Sequence, residues 1–372
     1  MRKRRRINWR LIGIILHLVT AILFILVCLT PFLDPQYFWF IAILGLGFPF
    51  LLAVVVLFLI WRAVQRSRWA WLSVALLLVG FQQVRAVMGF HFFQPAFEEV
   101  KQQKDLRVLY WNVERWDEPN KYKNGGVSFR RLMLDAVEEK HADVLCLQEF
   151  FEPNHSKYFE SNLAPLEAMG YNYHFFFPSS EMRNGTQLIG MIILSKFPIV
   201  DSIKYSFGHT PHSEGIIYAD LLINGKTLRV MTTHLESSRM DKYSYMGPEG
   251  KPGKITKATR MVRKLRNAYT YRSGQAKFVK QQIDQSPYPV LLCGNMGDIP
   301  NSYAYFTVKG GLQDAFLKTG AGLGQSFRFK SPTLRLDYVF ADPRIKIRQF
   351  STSQSPYSDH FPIVVDIGLD GL

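Results

Sequence analysis

The sequence predicts an α/β domain of two packed mixed β-sheets with helices outside, preceded by an N-terminal transmembrane helical region. Three observations carry this. The first hundred residues are dominated by Leu, Ile, Val, Phe and Trp, whereas the rest has the mixed composition of a soluble domain. Beyond residue 105, strand-like and helix-like stretches first alternate and then give way to strands with few helices. Two runs, residues 143–148 and 289–293, are almost continuously apolar, as in strands buried on both faces.

The 372 residues suffice for one large domain and an appendage. The chain opens on a dense positive cluster, Arg2-Lys3-Arg4-Arg5-Arg6. Residues 11–33 follow without charge and with one histidine, His17, long enough to cross a hydrocarbon layer of about 30 Å. A link, Asp34-Pro35-Gln36-Tyr37, turns the chain into a second uncharged run, 38–61. Arg62, Arg66 and Arg68 come next, beside Trp69 and Trp71 as interface aromatics, and a shorter apolar run, 69–84, is closed by Arg85. We read residues 1–93 as an anchor with three transmembrane helices and 94–104 as a linker. A cleaved leader is the competing reading of the first run, but no small-residue cleavage site follows it and a second apolar run comes at once. The Lys/Arg bias puts the N-terminus and the 62–68 link in the cytoplasm. Three crossings of the cytoplasmic (inner) membrane then leave the soluble domain extracytoplasmic. A third segment lying flat would leave it cytoplasmic.

The net charge of +15 is unevenly placed: residues 1–104 hold 12 Lys/Arg against 3 Asp/Glu. The high pI therefore reflects membrane-flanking charge more than a nucleic-acid surface. Cys28, Cys146 and Cys293 have no CxxC spacing, which argues against a zinc site and for buried free thiols. No internal repeat or low-complexity tract is evident, and nothing calls for an obligate protein partner.

In the domain, taken as 105–372, residues 106–112 read as the first strand and 129–139 as a helix with Leu132, Leu134 and Val137 at roughly helical spacing, blurred by Met133 and Ala136. Residues 143–148 form a buried strand, and 158–169 a helix ended by Gly170. Strands are predicted at 171–177, 188–195, 199–206 and 216–222. Asn224-Gly225 marks a tight hairpin turn, because this pair suits positive-φ positions. A long helix is predicted over 257–284, then strands at 289–293, 334–340, 345–350 and 363–367.

Polar side chains recur where these strands end. Asn112 ends the first. Glu149 follows an apolar run, where an unpaired carboxylate costs several kcal/mol and needs a cation or an arginine. His234 follows Thr232-Thr233. Asp337 falls mid-strand in Leu334-Arg335-Leu336-Asp337-Tyr338 and needs a partner such as histidine. Asp359-His360 precedes the last strand; Asp can ligate a hard cation and His can act as acid, base or charge stabiliser.

In this order the clusters Trp111-Asn112, Leu147-Gln148-Glu149, Thr233-His234-Leu235, Arg335-Leu336-Asp337-Tyr338 and Ser358-Asp359-His360-Phe361-Pro362 resemble the endonuclease/exonuclease/phosphatase superfamily over about residues 105–370. With its anchor the chain is similar to membrane-anchored bacterial members. The resemblance implies a four-layer α/β sandwich and a metal-dependent phosphoester hydrolase: a phosphodiesterase, nuclease or phosphatase. It implies Mg²⁺ (or Mn²⁺) held by Glu149, with Asn112 and Asp359 helping. It implies that His234 contacts the phosphate or protonates the leaving oxygen, and that His360, oriented by Asp337, binds or polarises the phosphate. The substrate would be a nucleic acid, a phospholipid or a small phosphoester, beside a lipid bilayer.

One motif departs. Members of that family read Gly-Asp-x-Asn after the long helix; here it is Gly294-Asn295-Met296-Gly297. Asn295 is the size of the aspartate that orients the attacking water but is no practical base, and Gly297 has no amide to donate. Asp298 lies one residue too far along, where a strand-end side chain points elsewhere. Two readings stay open: an impaired hydrolase, or a non-catalytic binder of phosphate ligands, nucleic acid or lipid headgroups on the same scaffold. The stretch 239–280, with 12 Lys/Arg against Asp241 and Glu249, is either a solvated helix face or a contact for a polyanion or anionic headgroups, the latter favoured by proximity if the chain is membrane-tethered. Gly247, Pro248, Gly250, Pro252 and Gly253 in it predict a mobile loop.

Overall fold

The computed structural model describes residues 8–121, 125–155, 158–208, 215–237, 254–328, 331 and 333–370, with backbone alone at 119 and 254–257. The basic cluster at 2–6 and the Gly/Pro-rich stretch at 247–253 lie outside the described residues.

Five helices come first: α1 (Trp9–Cys28), α2 (Pro35–Gly45), α3 (Phe48–Val64), α4 (Ala70–Val79) and α5 (Phe81–Val87). Helix α1 is long and apolar enough to cross a membrane. The second apolar run is broken, with α2 and α3 meeting at 52°, and the third is broken at Gly80, with α4 and α5 meeting at 69°. Each bent pair passes the same length and composition test when taken as one span.

The domain continues with β1 (Gly89–Phe90), β2 (Asp105–Asn112), a 3-10 segment (Glu114–Asn120), α6 (Arg130–Glu139), β3 (Val144–Pro153), α7 (Leu163–Ala168), β4 (Tyr173–Met182), β5 (Gln187–Ser195), β6 (Ile199–Ser206), β7 (Gly215–Ile223) and β8 (Lys226–His234). Helix α8 (Lys254–Asp284) leads to β9 (Val290–Asn295), α9 (Tyr303–Lys309), β10 (Gln313–Asp314), α10 (Ala315–Thr319), β11 (Ala321–Gly322), β12 (Asp337–Ala341), β13 (Lys346–Thr352) and β14 (Ile363–Gly368). Two mixed sheets result, ordered β13-β14-β2-β3-β5-β4 and β10-β12-β9-β8-β7-β6. Each holds one parallel pair at its centre, β2–β3 and β8–β9.

Strand alternation builds the layers. Val108, Tyr110, Cys146, Ile193, Val230, Leu291, Cys293 and Val339 meet between the sheets. Their neighbours Leu109, Trp111, Leu145 and Leu147 face outward onto Met133 and Val137 of α6 and Leu166 of α7. On the other side Met231, Leu292, Tyr338 and Phe340 pack on Ala276 and Val279 of α8 and Tyr305 of α9. The order is helix, sheet, sheet, helix, as predicted. All three cysteines are free and buried.

Three sequence expectations are corrected locally. The helix predicted over 158–169 is confined to α7, because the Glu152 carboxylate accepts the backbone N–H groups of Asn162 and Leu163 at 2.9 and 3.0 Å and so starts the helix there. Asp337 is not mid-strand but opens β12: Leu336 and Asp337 both donate their N–H to Ser326 Oγ (2.9 and 3.0 Å), which draws the preceding residues out of the ladder. The long helix begins three residues earlier than predicted, at Lys254. The predicted hairpin is present, with Asn224 at φ 51° and Gly225 at φ 80° between the paired Ile223 and Lys226.

Candidate functional site at the seam of the two sheets

The same alternation that fills the core aims the polar strand ends. Asn112 lies in phase with Val108 and Tyr110, Gln148 with Cys146, Asn295 with Leu291 and Cys293, and Asp337 with Val339, so all point between the sheets. His234, Asn295 and Asp337 stand side by side, since His234 pairs with Asn295 across β8–β9 and Asn295 with Asp337 across β9–β12. Asn112 pairs with Gln148 in the other sheet. Gln148 ties the halves together: its Nε2 donates to Thr233 O at 2.7 Å and Thr232 Oγ1 at 3.1 Å.

Glu149 is the exception to alternation. By phase it belongs on the outer face with Leu147. A β-bulge puts one extra residue into β3 between Leu147 and Phe150, opposite Ile192 and Gly190, and Glu149 takes the left-handed conformation at φ 47°. The side chain is thereby turned to Asn112, whose Nδ2 donates to Oε1 at 3.2 Å, and to Arg115, 3.7 Å from Oε2. A non-glycine residue held there costs about 1–3 kcal/mol, strain of the kind found at functional sites.

His360 is fixed from several directions. Its Nδ1 lies 2.7 Å from Asp337 Oδ2, its backbone oxygen accepts Trp111 Nε1 at 2.9 Å, and its N–H donates to Ser358 Oγ at 3.1 Å. Ser358 Oγ in turn donates to Asn112 O at 2.8 Å. The Tyr110 hydroxyl, 2.7 Å from Oδ1, and Ser326 Oγ, 2.8 Å from Oδ2, hold Asp337. Burial disfavours a charged His360, but the Asp337 and Asp359 charges outweigh it and raise its pKa to about 9. At neutral pH it is an imidazolium beside carboxylates. Its Nε2 is 4.0 Å from Asp359 Oδ1.

Burial likewise opposes ionisation of Glu149, yet the charges of His234 and Arg115, the Asn112 hydrogen bond and His360 together pull its pKa below the usual range. Asp359 goes the other way: burial raises it despite His360, and Glu149 and Asp337 add to the rise. A further carboxylate, Glu114, belongs to the group. Its Oε2 accepts the Asp359 N–H at 3.2 Å, and burial, then the charges of Asp359 and Glu149, push it up to about 7. Sequence reasoning missed Glu114 and Arg115. They reach the site through four consecutive positive-φ residues, 114–117, and the only sequence signal is their nearness to Asn112.

The structure thus gathers Asn112, Glu149, Asp337, Asp359 and His360 into one linked group and lines His234 and Asn295 up beside it. Among the described residues no three His, Cys, Asp or Glu side chains are arranged as a ready-made metal cage. The donor chemistry nonetheless suits a hard cation. Glu149, Asp359 and Glu114 crowd together, the Glu149 charge raising the proton affinity of Asp359 and both raising that of Glu114, and Mg²⁺ is commonly held by one or two carboxylates, with waters and substrate phosphate completing its shell.

The degenerate motif is built differently. Asn295 Oδ1 accepts the Gly297 N–H at 2.7 Å, closing a tight turn. Gly297 sits at φ 61°, and a Cβ there would lie 2.7 Å from Glu236 O and 3.3 Å from the Arg272 guanidinium. Asp298 turns away to a buried ion pair with Arg272 Nη1 at 2.9 Å, and Arg272 also donates to Glu236 O at 2.9 and 3.1 Å. It is structural, not a replacement base.

A family model described as the Endonuclease/Exonuclease/phosphatase family matches residues 109–360. The chain belongs to this family. A second model, a domain of unknown function, matches residues 9–87. No curated protein matches. Among solved structures the domain is similar to an endonuclease/exonuclease/phosphatase from Beutenbergia cavernae DSM 12333 (19% identity, TM-score 0.51, 72% of this chain and 72% of that one). It is also similar to the human Nocturnin catalytic domain (17%, 0.51, 74% and 97%) and to an endonuclease/exonuclease/phosphatase from Bacteroides vulgatus (18%, 0.50, 72% and 100%). At these identities the likeness is one of fold.

Proposed function

We propose that the chain is a membrane-tethered, divalent-metal-dependent phosphoester hydrolase whose water-activating half is impaired. The observation that carries this reading is the convergence, from separate strands of both sheets, of a strained Glu149, Asn112 and Asp359 with the Asp337–His360 pair. Glu149 and Asp359, with Asn112, would hold Mg²⁺ or Mn²⁺, which when bound supplies Lewis-acid stabilisation of phosphoryl oxygens. His360, positive at neutral pH and locked by Asp337, binds a non-bridging phosphate oxygen and offsets its charge. His234, buried beside Asn295, would protonate the leaving oxygen. Asn295 orients water without taking its proton, and loss of such a base costs roughly 10²–10⁴ in rate.

A second reading, a non-catalytic binder of phosphoesters, is favoured by one observation: the Asn295 oxygen is engaged by Gly297 N–H. A metal-titrated assay on the full chain with bis-p-nitrophenyl phosphate, plasmid DNA and phospholipid separates the two. Metal-dependent turnover of any of them supports the hydrolase. Phosphate binding with no turnover of all three supports the binder.

For location, we propose a multi-pass anchor in the cytoplasmic membrane with the domain outside it. A C-terminal reporter should be active only on the extracytoplasmic side, and cytoplasmic activity would overturn that topology.

A further inference from the structure

Helix α8 is far longer than the sheet it covers. Its 31 residues extend about 46 Å at 1.5 Å per residue, whereas the six residues of β9 extend about 20 Å. The C-terminal half packs on the sheet through Ala276, Val279 and Ile283. The N-terminal half overhangs, and α2 lines one side of it: Ala42 and Ile43 pack on Met261, Leu265 and Tyr269. Asp34 bonds Ser273 and Lys277, and Arg266 stacks over Trp39 with its guanidinium carbon 5.6 Å from the ring centre.

The flank turned away from the sheet is different. Arg260, Arg263 and Lys264 are exposed on it, and the exposed Arg266 marks its border with Trp39 of α2, with Val262 at 44% and Tyr271 at 42% exposure. No acidic residue occurs in α8 before Asp284. Beside this flank the start of α2 presents Tyr37, Phe38, Trp39 and Phe40, the aromatic belt of a water–lipid boundary.

The rim of the site is tied to the ends of α1 and α5. Thr30 Oγ1 donates to Asn301 O at 2.8 Å, and Asn301 Nδ2 to Val27 O at 3.3 Å. Arg335 Nη2 donates to Ala86 O at 2.7 Å. Asn301 is four residues from Gly297 and Arg335 two from Asp337, at most about 14 and 7 Å of chain. A headgroup layer is about 5–8 Å deep on each side of a bilayer. The rim of the site therefore lies within about 14 Å of chain of the residues bonded to the ends of α1 and α5, and the overhang of α8 is held beside α2, which follows α1; both are close to whichever leaflet receives the end of α1.

We propose that the flank of α8 carrying Arg260, Arg263, Lys264 and Arg266 is a docking surface for acidic phospholipid headgroups, which holds the candidate site against that leaflet. A soluble polyanion would meet the same charges, but it would not explain an overhang lined by an apolar helix and a row of interfacial aromatics. The surface is separate from the side chains of the site and does not depend on turnover.

The test titrates the full chain in neutral detergent with a fluorescent short-chain phosphatidylglycerol, a matching phosphatidylcholine and a DNA duplex. The parent should prefer phosphatidylglycerol. The variant Arg260→Gln/Arg263→Gln/Arg266→Gln should lose about 100-fold of that affinity, at roughly fivefold per charge. The lysine set at the same positions should retain most of it, since the attraction is one of charge, and it separates charge loss from misfolding. No preference in the parent, retained affinity in the glutamine set, or a loss in the lysine set equal to that in the glutamine set would overturn the proposal. So would a glutamine set that loses DNA binding while phosphatidylglycerol binding stays put.

Discussion

The two halves of the candidate site come from opposite sheets and are held in opposite ways. On the β2–β3 side, a bulge keeps Glu149 in a costly conformation, Asn112 donates to it, and Arg115, Glu114 and Asp359 crowd charge around it. On the β9 side, Asn295 and Gly297 satisfy each other through a turn, and the nearest acid, Asp298, is consumed by Arg272. The first half stores strain and unbalanced charge, which a cation and a phosphate would relieve. The second is locally satisfied and offers little chemistry. In a metal-assisted site, holding the phosphate and activating the water are separable tasks, and on the proposed reading the residues for the first are more fully present than those for the second.

The comparison can be broken most forcefully by restoring the missing carboxylate. Asn295→Asp should raise hydrolysis of bis-p-nitrophenyl phosphate by roughly 10²–10⁴, the usual contribution of a positioned base. Unchanged turnover in a folded variant would mean that the water is not activated from β9. Next in size, Asp298→Asn should destabilise the fold by about 3–5 kcal/mol, the cost of leaving Arg272 buried without its counter-charge. Denaturant melts that do not move would show that the pair is not structural.

Gly297→Asn, the other half of the family motif, should not restore activity. The added Cβ meets Glu236 O at 2.7 Å, so the variant should lose about 1–3 kcal/mol of stability, as overpacked cores do. A stable variant with raised turnover would refute the close approach seen at this glycine. The smallest effect concerns pH. His360 is raised from 6.5 to about 9 by Asp337 and Asp359 against the pull of burial. Its contribution to stability is therefore complete below about 6.5 and is lost as pH rises through about 9. Melting temperature should fall across that window, and in Asp337→Asn the fall should shrink and shift toward 6.5. A parent with a flat profile would remove the charged His360 from the account.

Much of this was legible in the sequence because period-two alternation is unforgiving. Once the apolar runs at 106–112, 143–148 and 289–293 are read as strands, the phase that buries Tyr110, Cys146 and Cys293 also sends Asn112, Gln148 and Asn295 inward. What alternation cannot reveal is its own breakage. The bulge that re-aims Glu149 and the positive-φ turn that delivers Glu114 and Arg115 depend on backbone states with no glycine to announce them. The sequence puts Asp337 inside a strand that it instead opens, for a related reason: Ser326, eleven residues earlier, takes the backbone N–H groups that a longer strand would use. The breaks inside the second and third apolar runs were passed over because a span is read from length and apolar content, although Gly47 with Pro49 and Gly80 stand where the helices bend.

The most direct measurement is calorimetric titration of the full chain with Mg²⁺, beside the variant Glu149→Gln. If the β2–β3 half is the cation-holding half, the parent binds the ion. The variant should then bind at least about 100-fold more weakly, since loss even of an outer-shell partner typically costs 10–100-fold. Equal affinity in the two proteins would contradict the account.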